Sequence, residues 1–299
     1  MKAWLSYVAV SVVWGSTFLA IAWAIDSFTP FGLSAARFVP AALVALAIGR
    51  LRRERWPSAR DVAHLAVVGV LLLVVCMGII AWAESRVSSG TTAVLAATVP
   101  LFLAVMEPRG LGPRSWAGPG IGFAGVALLV WPAGAGPDPA AAAALVVSAS
   151  IWSYGTLHGR RHPSRGGHFT NTGIEMLAAG LVCLPIAAAT GGFTHAAPTP
   201  RALLALGYLV IFGSLVAYSA YIHLSAVWPP AKAGTYAYWN PVVGVLLGCS
   251  LRGEALAPRA LPGLALILAG VALVQVPWGA LERRAGRLRT LRRSTSTTT

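Results

Sequence analysis

The sequence predicts an all-α, polytopic membrane protein: ten transmembrane helices arranged as an inverted repeat of two five-helix units. Three observations carry this. Apolar runs of helical length follow one another almost end to end, the runs of the first half recur in the second, and the basic residues between runs gather on alternate loops. The first observation sets the class. Of 299 residues, 57% are apolar and 11% charged, with a mean hydropathy of +0.70. About 20 residues of helix cross about 30 Å of hydrocarbon, so such runs read as membrane spans. They are long, continuous and without dyad alternation, which favours helices over a β-barrel.

The elements follow in order. The first span, Trp4–Ile25, opens behind Lys2 like a signal peptide, but no convincing cleavage site follows and the run continues through Trp23, so it reads as a retained span. Breaks at charges and Gly/Pro clusters then give Phe31–Gly49, Val62–Ala83, Ser88–Met106 and Ser115–Trp131. After "PAGAGPDP" come Ala140–Leu157, Phe169–Ala189, Ala202–His223, Pro229–Leu251 and Arg259–Pro277. The expected units are 1–135 and 136–278, followed by a basic, disordered tail at 279–299 resting near anionic lipid.

Lysines and arginines orient the spans. With the N-terminus inside, 17 fall on cytoplasmic segments and four (Arg86, Arg201, Arg252, Arg259) on external loops, so both termini are expected to be cytoplasmic, in a cell membrane. That distribution also accounts for the formal net charge of +14, which marks no basic helix face and no nucleic-acid module. Cys76, Cys183 and Cys249 lie apart inside apolar runs, as buried small hydrophobes, with no disulfide or metal site implied.

The repeat is read from matched stretches. "AGVALLVWP" at Ala124–Pro132 closes the fifth span and "AGVALVQVP" at Ala269–Pro277 the tenth; Phe31 to Arg37 has the spacing of Phe169 to Glu175; Pro100 and Pro241 hold similar places in the fourth and ninth spans. Five spans per unit is odd, so the second copy enters from the opposite side, a plan common in secondary transporters.

On these stretches, with "WGSTFLAI", "AARF", "AWAESRVSSGTTAVLAATVPLF", "TYAYWNPVVGVLLGCSLRGE" and "LILAGVAL", the chain resembles EamA-type members of the drug/metabolite transporter superfamily over nearly all of residues 1–278. The resemblance implies a ten-helix, five-plus-five carrier with a central cavity that moves small metabolites, often outward, among them amino acids or related compounds and drugs. One departure is "EPRGLGPRS", where such proteins more often carry a Gly-Glu pair nearer the next span; Glu254 in "LRGEAL" fits the pattern and Glu107 does not.

A charge inside a span costs a few kcal/mol on insertion scales and is a functional hypothesis by default. Arg37 lies about 9 Å below the outer end of its span and Glu175 a similar distance above the inner end of its own, leaving the two about 10 Å apart in height. Extending the repeat sets "AWAES" at Ala81–Ser85 against "AYIHL" at Ala220–Leu224, so the expected pairs are Arg37 with Glu84 and Glu175 with His223. The second pair is a candidate to carry a coupling proton, with a structural ion pair as the alternative.

The ninth span offers a polar column: Lys232, Tyr236 and Asn240 fall at i, i+4 and i+8. Lys232 is near enough to the interface to snorkel instead. Trp14, Trp82, Trp152, Tyr154 and Tyr218 complete the candidate cavity wall, since small-molecule sites join aromatic walls to a few polar groups; ordinary helix packing is the competing use. Pro100 and Pro241 are hinge candidates. No Walker stretch, HExxH, Cys/His cluster or G-x-S-x-G elbow is present, so no ATP hydrolysis, catalytic residue, metal or cofactor is implied. A carrier for a small solute, with protons as a candidate coupling ion, is favoured over a channel or a structural membrane protein.

Overall fold

The computed structural model describes residues 2–107, 117–130, 138–252 and 260–275. Among these the secondary structure is helical, with one isolated antiparallel bridge between Phe28 and Thr194. Six helices are long and apolar enough to cross a membrane: α1 (Lys2–Ala24), α2 (Pro30–Leu51), α3 (Ala59–Glu84), α7 (Pro139–Arg161), α8 (His168–Ala189) and α9 (Pro200–Val227). The fourth and ninth predicted spans are each broken, and the fifth and tenth are α6 (Ala117–Val130) and α12 (Ala260–Gln275). The tail 279–299, Glu254 and Arg109, Arg114 and Arg259 lie outside the described residues.

Local chemistry sets the helix starts. Thr29, Ser58, Asp138 and Thr199 are N-caps whose side chains accept the first free backbone N–H groups, and Pro30, Pro139 and Pro200 stand in the first turn, where a missing N–H costs nothing. Ser58 and Asp61 form a reciprocal capping box. His158, Arg160 and Arg161 close α7, where positive charge meets the negative end of the helix dipole.

Proline also places the breaks. Pro100 has no N–H for the Ala96 carbonyl, and the fourth run divides into α4 (Ser89–Ala96) and α5 (Val99–Met106). Tighter i to i−3 bonds from Thr98 to Leu95 (3.2 Å) and from Leu101 to Thr98 (3.0 Å) bridge the gap. Pro241 denies the Ala237 carbonyl its partner in the same way. The ninth run becomes α10 (Pro230–Gly234), a 3₁₀ turn (Thr235–Tyr238) and α11 (Trp239–Arg252). Two further irregularities were not expected: α3 contains a π-helical stretch at Val70–Cys76 and α9 one at Leu209–Tyr218.

Glycines fix how the central helices pack. A Cβ on Gly173 would lie 2.8 Å from Leu46 Cγ and one on Gly180 would lie 2.6 Å from Val39 Cγ2, while Gly49 sits against Thr170. Positions rise along α2 as they fall along α8, so the pair is antiparallel. The same holds for α6 and α12: Gly125 sits against the Gly263 carbonyl (2.7 Å from a Cβ) and Gly270 against that of Gly118 (2.6 Å). Small residues allow such close backbone approach in the absence of a hydrophobic driving force between helices.

The outward faces of these helices are also apolar: Leu5, Val8 and Val12 on α1, Leu43 and Val44 on α2, Leu181 and Leu184 on α8 are exposed. Helices greasy on both buried and exposed sides suit hydrocarbon on the outside. Loops 25–29 and 190–199 meet at one end, called upper here, where Thr29 N–H donates to Phe193 O (3.1 Å). Loops 52–58 and 162–167 meet at the arginine-rich lower end, where Gly167 N–H donates to Arg55 O (2.9 Å).

Candidate functional site

The central cavity is walled mainly by apolar side chains from α1, α2, α3, α7, α9 and the broken ninth run. Its volume is about 60 Å³. Of the residues picked out in the sequence, Trp14, Arg37, Trp152, Tyr218, Tyr236 and Asn240 line it together. Trp14 is central: its ring packs against Trp152 (5.3 Å between centroids), Tyr221 (5.0 Å) and Tyr236 (5.2 Å). Its Nε1–H donates to the Gly213 carbonyl at 3.1 Å.

Arg37 is the cation of this cavity, only 6% exposed. Its Nε–H donates to Ser214 Oγ at 2.7 Å, and its guanidinium carbon lies 5.0 Å from the centre of the Phe38 ring. The expected pairing with Glu84 is not the contact it makes. The π-helical stretch of α9 brings a glycine and a hydroxyl to it instead: a Cβ on Gly213 would stand 2.8 Å from Arg37 Nη2, so only glycine leaves the guanidinium its position. One hydrogen bond from a charged donor contributes about 1.5–3 kcal/mol. That is comparable to the roughly 2.5–3.5 kcal/mol insertion cost of the charge, but it occupies one of five donors. The Asn240 amide oxygen, also lining the cavity, is buried and makes no hydrogen bond among the described residues. A buried acceptor without a partner is costly unless something from the cavity satisfies it.

Below lies a larger vestibule, about 390 Å³, lined by Glu175, His223, His64, His162, His168 and Asn171 among others, at the lower end. Glu175, 3% exposed, accepts a hydrogen bond from Tyr218 Oη at 2.7 Å. It shares the vestibule with His223 without forming the expected ion pair; the His223 ring stands edge-on to His168, 6.4 Å between centroids. Ser214 and Tyr218 are four residues apart on α9, so one helix supplies the hydroxyl partner of both intramembrane charges.

An aromatic layer divides the two spaces. Trp152 Nε1–H donates to Tyr221 Oη at 2.9 Å, and Tyr221 Oη is hydrogen-bonded to Thr156 Oγ1. Trp152 and Tyr218 face the cavity, whereas Tyr221 and Thr156 face the vestibule.

Three of the expected wall residues lie elsewhere. Tyr154 is 52% exposed on the outer face of α7; two residues from Trp152 is about 200° around a helix, so both cannot face inward. Trp82 lies near the upper end under the Arg86 guanidinium, 4.1 Å from its ring centre. Lys232 stands between the rings of Trp4 (5.2 Å) and Trp228 (4.3 Å) at the lower end. From the first turn of the run its ammonium reaches these rings by snorkelling, away from the cavity that Tyr236 and Asn240 line. Sequence reasoning missed Gly213 and Ser214. Their signal was a small residue and a hydroxyl inside the otherwise apolar "LVIFGSLVAY".

Helices apolar inside and out, around a cavity lined by a buried arginine, define a polytopic membrane protein. A model of the EamA-like transporter family matches residues 1–131 and 140–276, and the chain belongs to that family. Its members are transporters, not enzymes. The chain is similar to the uncharacterized inner membrane transporter YedA of Escherichia coli K12, at 37% identity over 270 residues, covering 89% of this chain and 88% of that one. It is also similar to a Streptantibioticus cattleyicolor protein named "Probable terminal-alkyne amino-acid exporter", at 29% identity over 91% of this chain and 93% of that one. A solved crystal structure shares the fold, with a TM-score of 0.73 at 22% identity over 95% of this chain and 98% of that one.

Proposed function

We propose that the protein is a secondary carrier that exports a small solute bearing an anionic group, an amino acid or related compound, by alternating access around the central cavity. The observation that carries this is Arg37: a buried guanidinium turned into the cavity with a hydroxyl and, among the described residues, no carboxylate at ion-pair distance. A carboxylate on the solute would complete it, and an N–H on the same solute would satisfy the Asn240 oxygen. The aromatic layer beneath the cavity supports a carrier over a channel, because a channel needs a continuous aqueous path. The name of the Streptantibioticus relative supports the outward direction and the solute class.

The scaffold we infer is the ten-span inverted repeat, 1–135 and 136–278. Support comes from the two segments the family model matches and from reciprocal glycine contacts. Gly125 and Gly270 are equivalent in the matched "AGVAL" stretches, and each meets the counterpart of what the other meets, as a two-fold axis in the membrane plane demands. The described residues of the arginine-rich lower end, where Arg52, Arg53, Arg55 and Arg160 cluster, support placing both termini in the cytoplasm. Pro100 and Pro241, each following a break, serve as hinges in this reading. Glu175, with Tyr218 above it and His223 in the same vestibule, would carry the coupling proton.

Counterflow in proteoliposomes, with labelled amino acids, nucleosides and cationic dyes, tests the proposal. The expected result is saturable exchange of an amino-acid-like anion or zwitterion that Arg37→Gln removes. Exchange only of cationic dyes, or of none of the three classes, overturns the assignment.

A further inference from the structure

Three imidazoles converge at the rim of the lower vestibule, away from the central cavity. His64 comes from α3, His158 from the last turn of α7, and His162 is the residue that caps the C-terminus of α7, four residues on. His64 Nδ1 and His158 Nε2 are 3.3 Å apart, and one nitrogen from each of the three rings lies within 4.8 Å of the others. Metal–nitrogen bonds of about 2.0–2.1 Å in a tetrahedral site put ligand nitrogens about 3.3 Å from each other. The His64–His158 spacing already has that value, and a side-chain torsion closes the remaining separation to His162.

We propose that His64, His158 and His162 form a site for a divalent transition-metal ion, which ties α3 to α7 at the mouth of the vestibule. Three neutral imidazoles with, among the described residues, no carboxylate in the cluster select zinc, nickel, cobalt or copper over magnesium and calcium. The surroundings fit the role. His162 Nδ1 stands 3.0 Å from the His158 carbonyl, the kind of backbone anchor that fixes the ring of a ligating histidine. The neighbouring positive charge of Arg161 is engaged by Glu107, 3.3 Å away. His162 is exposed and lines the vestibule with His64, so an ion enters from the lower end and its fourth position stays open to water. The two helices belong to the two different segments matched by the family model. A bound ion therefore bridges them, and its release frees one from the other.

The test is binding of Zn²⁺, with Co²⁺ as the spectroscopic probe, to the full chain purified in detergent without a polyhistidine tag. The expected result is one equivalent bound per chain, with imidazole-type Co²⁺ absorption, and affinity lowered on the order of a hundredfold in His64→Ala or His158→Ala, since even outer-sphere changes cost 10–100-fold. His168→Ala and His195→Ala should bind as the parent does. Protection supplies a readout that needs no variant: Zn²⁺ should shield the peptides carrying His64, His158 and His162 from diethyl pyrocarbonate while leaving His195 reactive. No saturable equivalent in the parent chain, binding unchanged in both His64→Ala and His158→Ala, or equal modification with and without Zn²⁺ would each overturn the site.

Discussion

The central cavity and the lower vestibule differ in every respect that matters to a solute. The cavity is small, walled by Trp14, Trp152, Tyr218 and Tyr236, and carries one fixed cation. The vestibule is several times larger and lined by a carboxylate and several imidazoles. Glu175 at the inner end of the vestibule is as deeply buried as Arg37, whereas His162 at its rim is exposed, so a charge–charge contact is worth far more at either buried group than at the rim. On the proposed reading, the contrast assigns recognition to the space above the aromatic layer and proton and ion traffic to the space below it.

The strongest way to break that division is Arg37→Gln. Losing one partner of a buried charge contact costs about 2–5 kcal/mol, so counterflow efficiency for an anionic or zwitterionic solute should fall about thirtyfold or more, with membrane insertion retained. A fall of less than about tenfold would move recognition out of the cavity. Glu175→Gln should instead abolish stimulation by an imposed pH gradient while counterflow stays within about threefold; equal loss of both would merge the two regions into one site. Ser214→Ala removes a single hydrogen bond to the guanidinium, about 1.5–3 kcal/mol, and should lower efficiency about tenfold. Gly213→Ala should do the same by displacing Arg37 Nη2, with little change in thermal stability because the flexible guanidinium yields.

Smaller effects sharpen the scaffold rather than the site. Gly270→Leu drives a side chain into the Gly118 carbonyl, backbone that cannot yield, and overpacking of this kind costs about 1–3 kcal/mol. A thermal-shift assay in detergent should show a melting temperature lower by several degrees. Tyr154→Ala, on the outer face, should leave transport unchanged within about twofold. A large loss there would mean that α7 turns its other face inward during the cycle.

Much of this was legible in the sequence because hydrocarbon imposes a simple rule. Any apolar run of helical length reads as a span, and any charge inside one is conspicuous, which is how Arg37 and Glu175 stood out. Their partners were not legible, since symmetry in the sequence pairs positions between halves while side chains pair by proximity. Proximity was set by the π-helical stretch at Leu209–Tyr218, and a π-helix has no compositional mark. Lys232 left the column for a different reason: it stands in the first turn of the run, and a long cationic side chain there reaches the interface rings of Trp4 and Trp228. Tyr154 was a different kind of miss, because the helical angle from Trp152 was available from their numbers alone.

The partners of the two charges share a single rod. With Ser214 against Arg37 and Tyr218 against Glu175, a rotation or slide of α9 disturbs both contacts together. Thermodynamic linkage then runs both ways: if solute at Arg37 alters the affinity of Glu175 for a proton by some factor, protonation alters the affinity for solute by that same factor. Stoichiometric exchange could thus arise from the stiffness of one helix, without any direct meeting of cargo and proton.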